Sequence, residues 1–278
     1  MTKKTKKIIV VNPKGGSTKS TTAQQIAAPL LYHLSNKKVK LFEYDPQNQD
    51  SVIFVGKTAI FDPVICSKKA KLTENIIDFL KEESAVFDLG GNKAGEDCLL
   101  ELSNLGALNS VNLILIPIMD GDCDCQCAKD TYDFIRSKTK TAKIVFVLGR
   151  VNDTSFPDVQ YLHFLGDKGY YITGADGLLD SIPQDDRNYI LVANDDCIKV
   201  AHGHGLTAYE VRNYDPEEYR IKSEQVLNEM LECSDEKKKS ELDIKFKKLC
   251  KRVWLINRSK EFYRSTLNKY FPYLTEFL

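Results

Sequence analysis

The chain has 278 residues, 42% of them hydrophobic and 28% charged, which excludes a disordered polymer and leaves room for one good core with a small annex. Thirty-nine basic residues balance thirty-nine acidic ones. Net charge therefore supplies no attraction for a polyanion, and a nucleic-acid surface would have to come from local clustering.

The opening Met1-Thr-Lys-Lys-Thr-Lys-Lys is charged, but only Ile8 to Val11 follows before Asn12-Pro13. That run is too short for the roughly 7–15-residue core of an export signal. No apolar run reaches the roughly 18 residues needed to cross a bilayer. The eight cysteines then read as reduced thiols of a cytoplasmic protein. Strands are expected at 8–11, 39–42, 85–87, 111–118 and 143–148, with one more short strand at 170–173. Helices are expected at 19–34, 73–82, 94–105 and 125–137. The strands are apolar throughout rather than alternating, as in a parallel sheet covered on both faces. Strand and helix alternate, so the fold class is α/β: an open, mostly parallel, twisted sheet with helices on both sides. From Asp215 the chain is rich in Lys, Glu and Leu, and helices are expected at 216–233, 237–257 and from 259 toward 270. This divides the chain into an α/β domain, 1–214, and a helical extension, 215–278, packed on it.

The strongest local signal is Ile8-Ile-Val-Val-Asn-Pro-Lys-Gly-Gly-Ser-Thr-Lys-Ser-Thr-Thr22. A hydrophobic strand enters a Gly-containing turn, and Lys-Ser-Thr opens a helix, as a phosphate-binding loop requires. Gly15 and Gly16 let backbone N–H groups face a phosphate, and Ser17, Thr18 and the helix start at Lys19 continue the cradle. Lys19 would reach the β- and γ-phosphates of a nucleotide, with Thr21 beside it, and the Ser20 hydroxyl would ligate Mg²⁺. The general pattern G-x-x-x-x-G-K-[ST] is not met, because Pro13 and Thr18 occupy its glycine positions.

Lys14-Gly-Gly-x-x-Lys-Ser-Thr21 instead resembles the deviant Walker A loop of the ParA/MinD superfamily, K-G-G-x-x-K-[ST], in which some plasmid partition ATPases also lack the Gly before the second lysine. Val39-Lys-Leu-Phe-Glu-Tyr-Asp-Pro-Gln-Asn-Gln49 resembles the family's strand ending in D-x-D-P-Q. By that resemblance Asp45 positions or activates the attacking water, and Glu43 replaces the first Asp. Ser84-Ala-Val-Phe-Asp-Leu-Gly-Gly91 reads as Walker B, with Asp88 holding the Mg²⁺ hydration shell and Gly91 where the family has proline. Leu113 to Ile118 matches the next core strand. Lys143 to Asn152 resembles the strand that carries an adenine-side Asn, with Gly149 in that Asn's place. Ile182-Pro183 is expected to line the base with its backbone.

The resemblance spans residues 6–210 and implies an ATP hydrolase using Mg²⁺. It implies that Lys14 crosses an ATP-bound homodimer to the partner's nucleotide, so that hydrolysis breaks the dimer. The expected function is partition or positioning of DNA, as in plasmid segregation, with a cargo-adaptor protein that stimulates slow hydrolysis. The expected location is a prokaryotic cytoplasm, at the nucleoid. Without a helix-turn-helix region before the loop, the sequence resembles the short ParA-type members. Two alternatives stay open: a MinD-like positioning ATPase on a membrane or protein complex, and a nucleotide-binding scaffold with little hydrolysis, suggested by Thr18, Gly91 and Gly149. No second substrate site supports a synthetase-type enzyme.

Four further features stand outside these motifs. Cys123-Asp-Cys-Gln-Cys127 on a helix places neighbouring thiols on opposite faces, about 200° apart, unlike paired C-x₂-C zinc elements. His202-Gly-His204 reads as plain surface. Residues 236–260 hold ten Lys or Arg against three acids, and Lys245, Lys248 and Arg252 could share a face that binds non-specific DNA. The end, 270–278, is aromatic and apolar, but Pro272 and few cations argue for packing on the core rather than for a membrane helix.

Overall fold

The computed structural model describes residues 5–46, 48–66, 71–167, 174–264 and 268–278. Among them lie seven strands: β1 (Lys6–Val10), β2 (Val39–Tyr44), β3 (Phe61–Ile65), β4 (Ser84–Leu89), β5 (Leu113–Ile118), β6 (Lys143–Val151) and β7 (Tyr189–Ala193). They form one sheet in the order β3-β2-β4-β1-β5-β6-β7, with every neighbouring pair parallel. β1 lies between β4 and β5, and the chain leaves it to one side and returns on the other. The C-terminal end of β1 is thus a switch point, where open α/β sheets bind ligands.

The first helix begins as α1 (Lys19–Thr22), passes through a π-helical stretch, Ala23–Ala27, and continues as α2 (Ala28–Ser35). There follow α3 (Leu72–Lys81), α4 (Asn92–Asn104), α5 (Asp122–Lys138), α6 (Pro157–Gln160), α7 (Leu162–Leu165), α8 (Asp196–Gly203), α9 (Ala208–Val211), α10 (Pro216–Glu232), α11 (Glu236–Phe262) and α12 (Asn268–Thr275). One sheet face is covered by α3, α4, α5 and α7 through residues such as Phe79, Leu102, Tyr132 and Phe164. The other is covered by α1, α2, α8, α9, the end of α11, and α12, through Ile26, Leu30, Ala201, Ile256 and Leu274. With both faces covered, β1 and β5 are buried almost end to end, which is why their apolar residues run on without alternation.

The π stretch has a local cause. Pro29 has no N–H to give the carbonyl of Gln25, four residues back. That oxygen instead accepts the buried Tyr263 hydroxyl at 2.7 Å, while the Gln25 side chain accepts Ala208 N–H at 3.0 Å. The helix that starts in the phosphate loop is therefore tied to α9 and to the end of α11.

Strands β3 and β7 lie outside the sequence expectation. β3 carries Asp62 and Pro63, which mask its strand character. It is an edge strand whose neighbour is β2, so the proline is tolerated there. The strand expected at 170–173 lies outside the described residues. The helix break expected near Arg258 does not occur: α11 runs for 27 residues, with Ser259 buried and Arg258 paired to Asp195 at 2.9 Å. Beyond the main core, α10 and α11 pair as a hairpin around a thin cluster of Val226, Leu242 and Leu249. Pro272 sits inside α12, but the carbonyl it leaves unpaired is that of Asn268, the helix's first residue. Phe271 and Leu274 of α12 join the main core, and no helix of the described residues is long and apolar enough to cross a membrane.

Candidate nucleotide site

Asn12 fixes the entry to the loop. Its side-chain amide donates to Pro117 O on β5 at 2.7 Å, and its oxygen accepts Lys14 N–H at 3.0 Å. Pairing of β1 with β5 has ended at Val10–Leu115, so the N–H that Pro117 lacks costs no ladder bond on that side. The loop then turns through Gly16 (φ 79°) and Thr18 (φ 62°), both left-handed, and α1 begins at Lys19. The Lys19 ammonium donates to Lys14 O at 2.8 Å and to Ser17 Oγ at 3.2 Å, and Ser17 Oγ donates to Lys14 O at 3.0 Å. Residues 15–21 line a polar cavity of about 320 Å³ together with Asp45, Asn48, Asp50, Gly91 and Arg150. Free N–H groups at the start of α1 and the Lys19 cation make it an anion cradle.

Beneath the cradle two buried carboxyls stand side by side, because β2 and β4 pair Glu43 with Asp88. Glu43 accepts the N–H groups of Asp50 (2.9 Å) and Ser51 (3.0 Å), which pins the chain after β2. Burial pushes its carboxyl up to about 7. Asp88 is 2% exposed, and neither of its oxygens has a hydrogen-bond partner among the described residues. Burial and the neighbouring Glu43 push it up to about 8; the nearby Ser20 hydroxyl and Lys19 oppose the rise, Ser20 without completing a well-aligned hydrogen bond. Burial also lowers the Lys19 pKa, against the pull of Asp88, Asp45 and Asp124. A buried carboxylate without a partner is costly. Hard oxygen donors from Ser20 and Asp88, facing a cavity that leaves room for phosphate and water oxygens, fit Mg²⁺.

Gly91 packs against the loop: a Cβ there would lie 3.3 Å from Gly15 Cα and 3.5 Å from Lys19 Nζ. Thr18, Thr21 and Arg150 also border a second cleft at the ends of β6 and β7, lined further by Gly149, residues 192–195, Ile198 and Lys199.

The structure thus gathers Gly15, Gly16, Ser17, Thr18, Lys19, Ser20, Thr21 and Asp45 at one cavity, with Asp88 under it and half-buried Lys14 at the loop's start. Pro183 is not brought there. In this parallel sheet the segment before β7 lies at the N-terminal ends of the strands, and the residues that reach the cleft are those at the end of β7 and just beyond it, 192–195. Sequence reasoning also missed Asn12, Asn48, Asp50, Arg150 and Asp124. The signals available for them were position after a strand end or in the first turn of α5. Lys245, Lys248 and Arg252 are all exposed on α11, within about 60° of one another by helical spacing, with Arg252 5.5 Å from the Tyr219 ring. Cys125 is buried in the core, whereas Cys123 is exposed and Cys127 half-buried; His202 packs edge-on against Phe54 at 5.2 Å.

No family model matches the chain, and none of the curated proteins matches it. Solved structures to which it is similar include MinD of Aquifex aeolicus, at 13% identity over 72% of this chain and 87% of that one, with a TM-score of 0.47. An ATP complex of a Cyanothece McdA variant is 12% identical over 74% and 90%, with a TM-score of 0.48. A plasmid partition protein from Borrelia burgdorferi is 18% identical over 55% and 85%, with a TM-score of 0.37.

Proposed function

We propose that the chain is a Mg²⁺-dependent ATP hydrolase of the ParA/MinD kind, using ATP-gated dimerisation to partition or position DNA. The observation that carries this reading is that residues 15–21 line one polar cavity, with the buried Asp88 behind it next to Ser20 and Lys19. Lys19 and the N–H groups of the loop would bind and orient the β- and γ-phosphates. Ser20 and Asp88 would hold Mg²⁺, whose charge would offset that of the phosphates. Asp45, at the cavity wall beyond β2, would orient the attacking water for in-line attack. Glu43 acts one step removed: by holding the N–H groups of Asp50 and Ser51 it fixes the wall that carries Asp50 and Asn48.

With Lys19 serving the phosphates in cis, Lys14 is free for the task the family resemblance gives it, contact with the nucleotide of a second copy. The exposed cations Lys245, Lys248 and Arg252 would supply a non-specific DNA surface, and a cargo-adaptor protein would stimulate hydrolysis. The protein would then work in the cytoplasm, at the nucleoid.

Light scattering of wild type and Lys14→Ala, each with ATP–Mg²⁺ and with ADP, tests the switch. Only wild type with ATP should form a dimer; a wild type that stays one species with either nucleotide removes the reading. DNA binding should weaken steeply with salt, and Lys245→Ala/Lys248→Ala/Arg252→Ala should flatten the log–log salt slope by roughly 0.9 for each phosphate no longer neutralised. An unchanged slope would take the DNA surface away from α11.

A further inference from the structure

Resting on the nucleotide-site reading, we infer that Thr18 and Gly149 are a matched pair that shapes the passage from the phosphate cavity to the cleft beyond it, and that the site reads the phosphate chain while discriminating weakly among bases. Thr18 is β-branched yet adopts φ 62° and ψ 23°, a region such residues seldom enter. Strain of this kind persists only where the surroundings over-determine it. Gly149 leaves the room that the Thr18 side chain takes up in this conformation. A Cβ at that position would lie 2.4 Å from Thr18 Oγ1, 3.2 Å from Cγ2 and 3.3 Å from Cβ. Rotation about χ1 would move Oγ1, but Thr18 Cβ itself is within the crowded range, so a side chain at 149 would still press on the loop. The Thr18 hydroxyl is buried without a hydrogen-bond partner among the described residues, so fit against Gly149, not a bond, seats this side chain.

The seat lies on the route a nucleotide would take. Thr18, Thr21 and Arg150 border both the phosphate cavity and the cleft at the ends of β6 and β7. A nucleotide with its phosphates in the loop would extend past Thr18 into that cleft. There Gly149 offers no side chain, and part of the polar lining is already engaged within the protein. Asn194 donates to Asn152 at 3.1 Å, and Asp195 accepts Cys197 N–H at 2.9 Å and pairs with Arg258 at 2.9 Å. Strong selection requires buried site groups that the wrong ligand leaves unpaired, and here the buried acid, Asp195, is already paired, while Arg150, Asn194 and Lys199 are exposed to water.

The test is calorimetric titration of Mg²⁺ complexes of ATP, GTP and CTP, and of inorganic tripolyphosphate, into wild type, Gly149→Ala, Thr18→Gly and the double variant, with thermal melts of each. Wild type should bind the three nucleotides within about tenfold of one another. Gly149→Ala should lower nucleotide affinity about tenfold or more and lower the melting temperature, and adding Thr18→Gly should restore both, as expected for directly coupled sites. A wild-type preference of about a hundredfold for one base overturns the selectivity. Gly149→Ala behaving as wild type, or a double variant no better than Gly149→Ala, overturns the pairing. If Gly149→Ala does not fold, a double variant that folds and binds upholds the pairing, and one that also fails to fold overturns it. Wild type binding tripolyphosphate but no nucleotide would refute the passage alone, whereas binding neither would refute the nucleotide site itself.

Discussion

The buried carboxyl pair makes a sharp prediction about stability against pH. In the folded chain Glu43 is pushed up to about 7 and Asp88 up to about 8, whereas in the unfolded chain both ionise near pH 4. Between pH 5 and 6.5 the folded state therefore holds nearly two protons that the unfolded state has released. Stability then falls as pH rises, at a slope approaching 2.303RT for each retained proton, or about 2 kcal/mol per pH unit for the pair. The loss levels off above pH 8, where both states are ionised. The carboxylates of Asp62 and Glu217, held low by hydrogen bonds from Lys38 and Arg220, titrate below this window. Urea unfolding followed by circular dichroism, at pH 5.5 to 8.5 with EDTA and constant ionic strength, measures the slope. Asp88→Asn keeps the shape, removes one of the two protons and should roughly halve the slope, leaving the variant more stable than wild type at pH 8.5. Adding Mg²⁺ at pH 7.5 should stabilise wild type and leave Asp88→Asn nearly unmoved. Wild-type stability that is flat or rises from pH 5.5 to 7.5, or an equal slope in the variant, would refute the pairing of these two acids.

Other predictions concern the frame that holds the site. Glu210 accepts Thr58 Oγ1 and Ala59 N–H, each at 2.6 Å, and Thr207 N–H at 3.0 Å; Glu210→Gln sets a donor against donors and should cost about 2 kcal/mol in chemical denaturation. Tyr263→Phe leaves the Gln25 carbonyl without its 2.7 Å donor and should cost about 1–2 kcal/mol. Pro29→Ala, which returns an N–H to that carbonyl, should recover part of the loss only in the Tyr263→Phe background, and additive effects would count against the account. Leu249→Ala removes a third of the thin α10–α11 cluster, so amide exchange should quicken in residues 223–250 while β1 and β5 keep their protection.

What could be read in the sequence follows from how much of each signal is local. The loop was legible because a strand, a glycine turn and a helix start carry their own chemistry in consecutive residues. The continuous apolar runs of β1, β5 and β6 exposed the parallel sheet for the same reason: both faces are covered, and the residues show it. β3 was hidden because an edge strand tolerates Asp62 and Pro63, residues that a central strand would reject. The base-side assignment failed at Pro183 because strand direction, not local pattern, decides which end of β7 meets the cavity.

The departures from the expected motifs are where sequence alone misleads most. Thr18 and Gly149, taken singly, each look like the loss of a site residue. In space the two are in contact, and the threonine side chain occupies the volume that a Cβ at 149 would need. Glu43 likewise looks like a conservative slip for aspartate, yet both of its oxygens accept backbone N–H groups at 50 and 51, seven and eight residues on. A shorter carboxylate fixed at the same point of β2 would fall about one methylene short of those donors, leaving the buried N–H of Ser51 unpaired at a cost of about 1–3 kcal/mol and releasing that of Asp50.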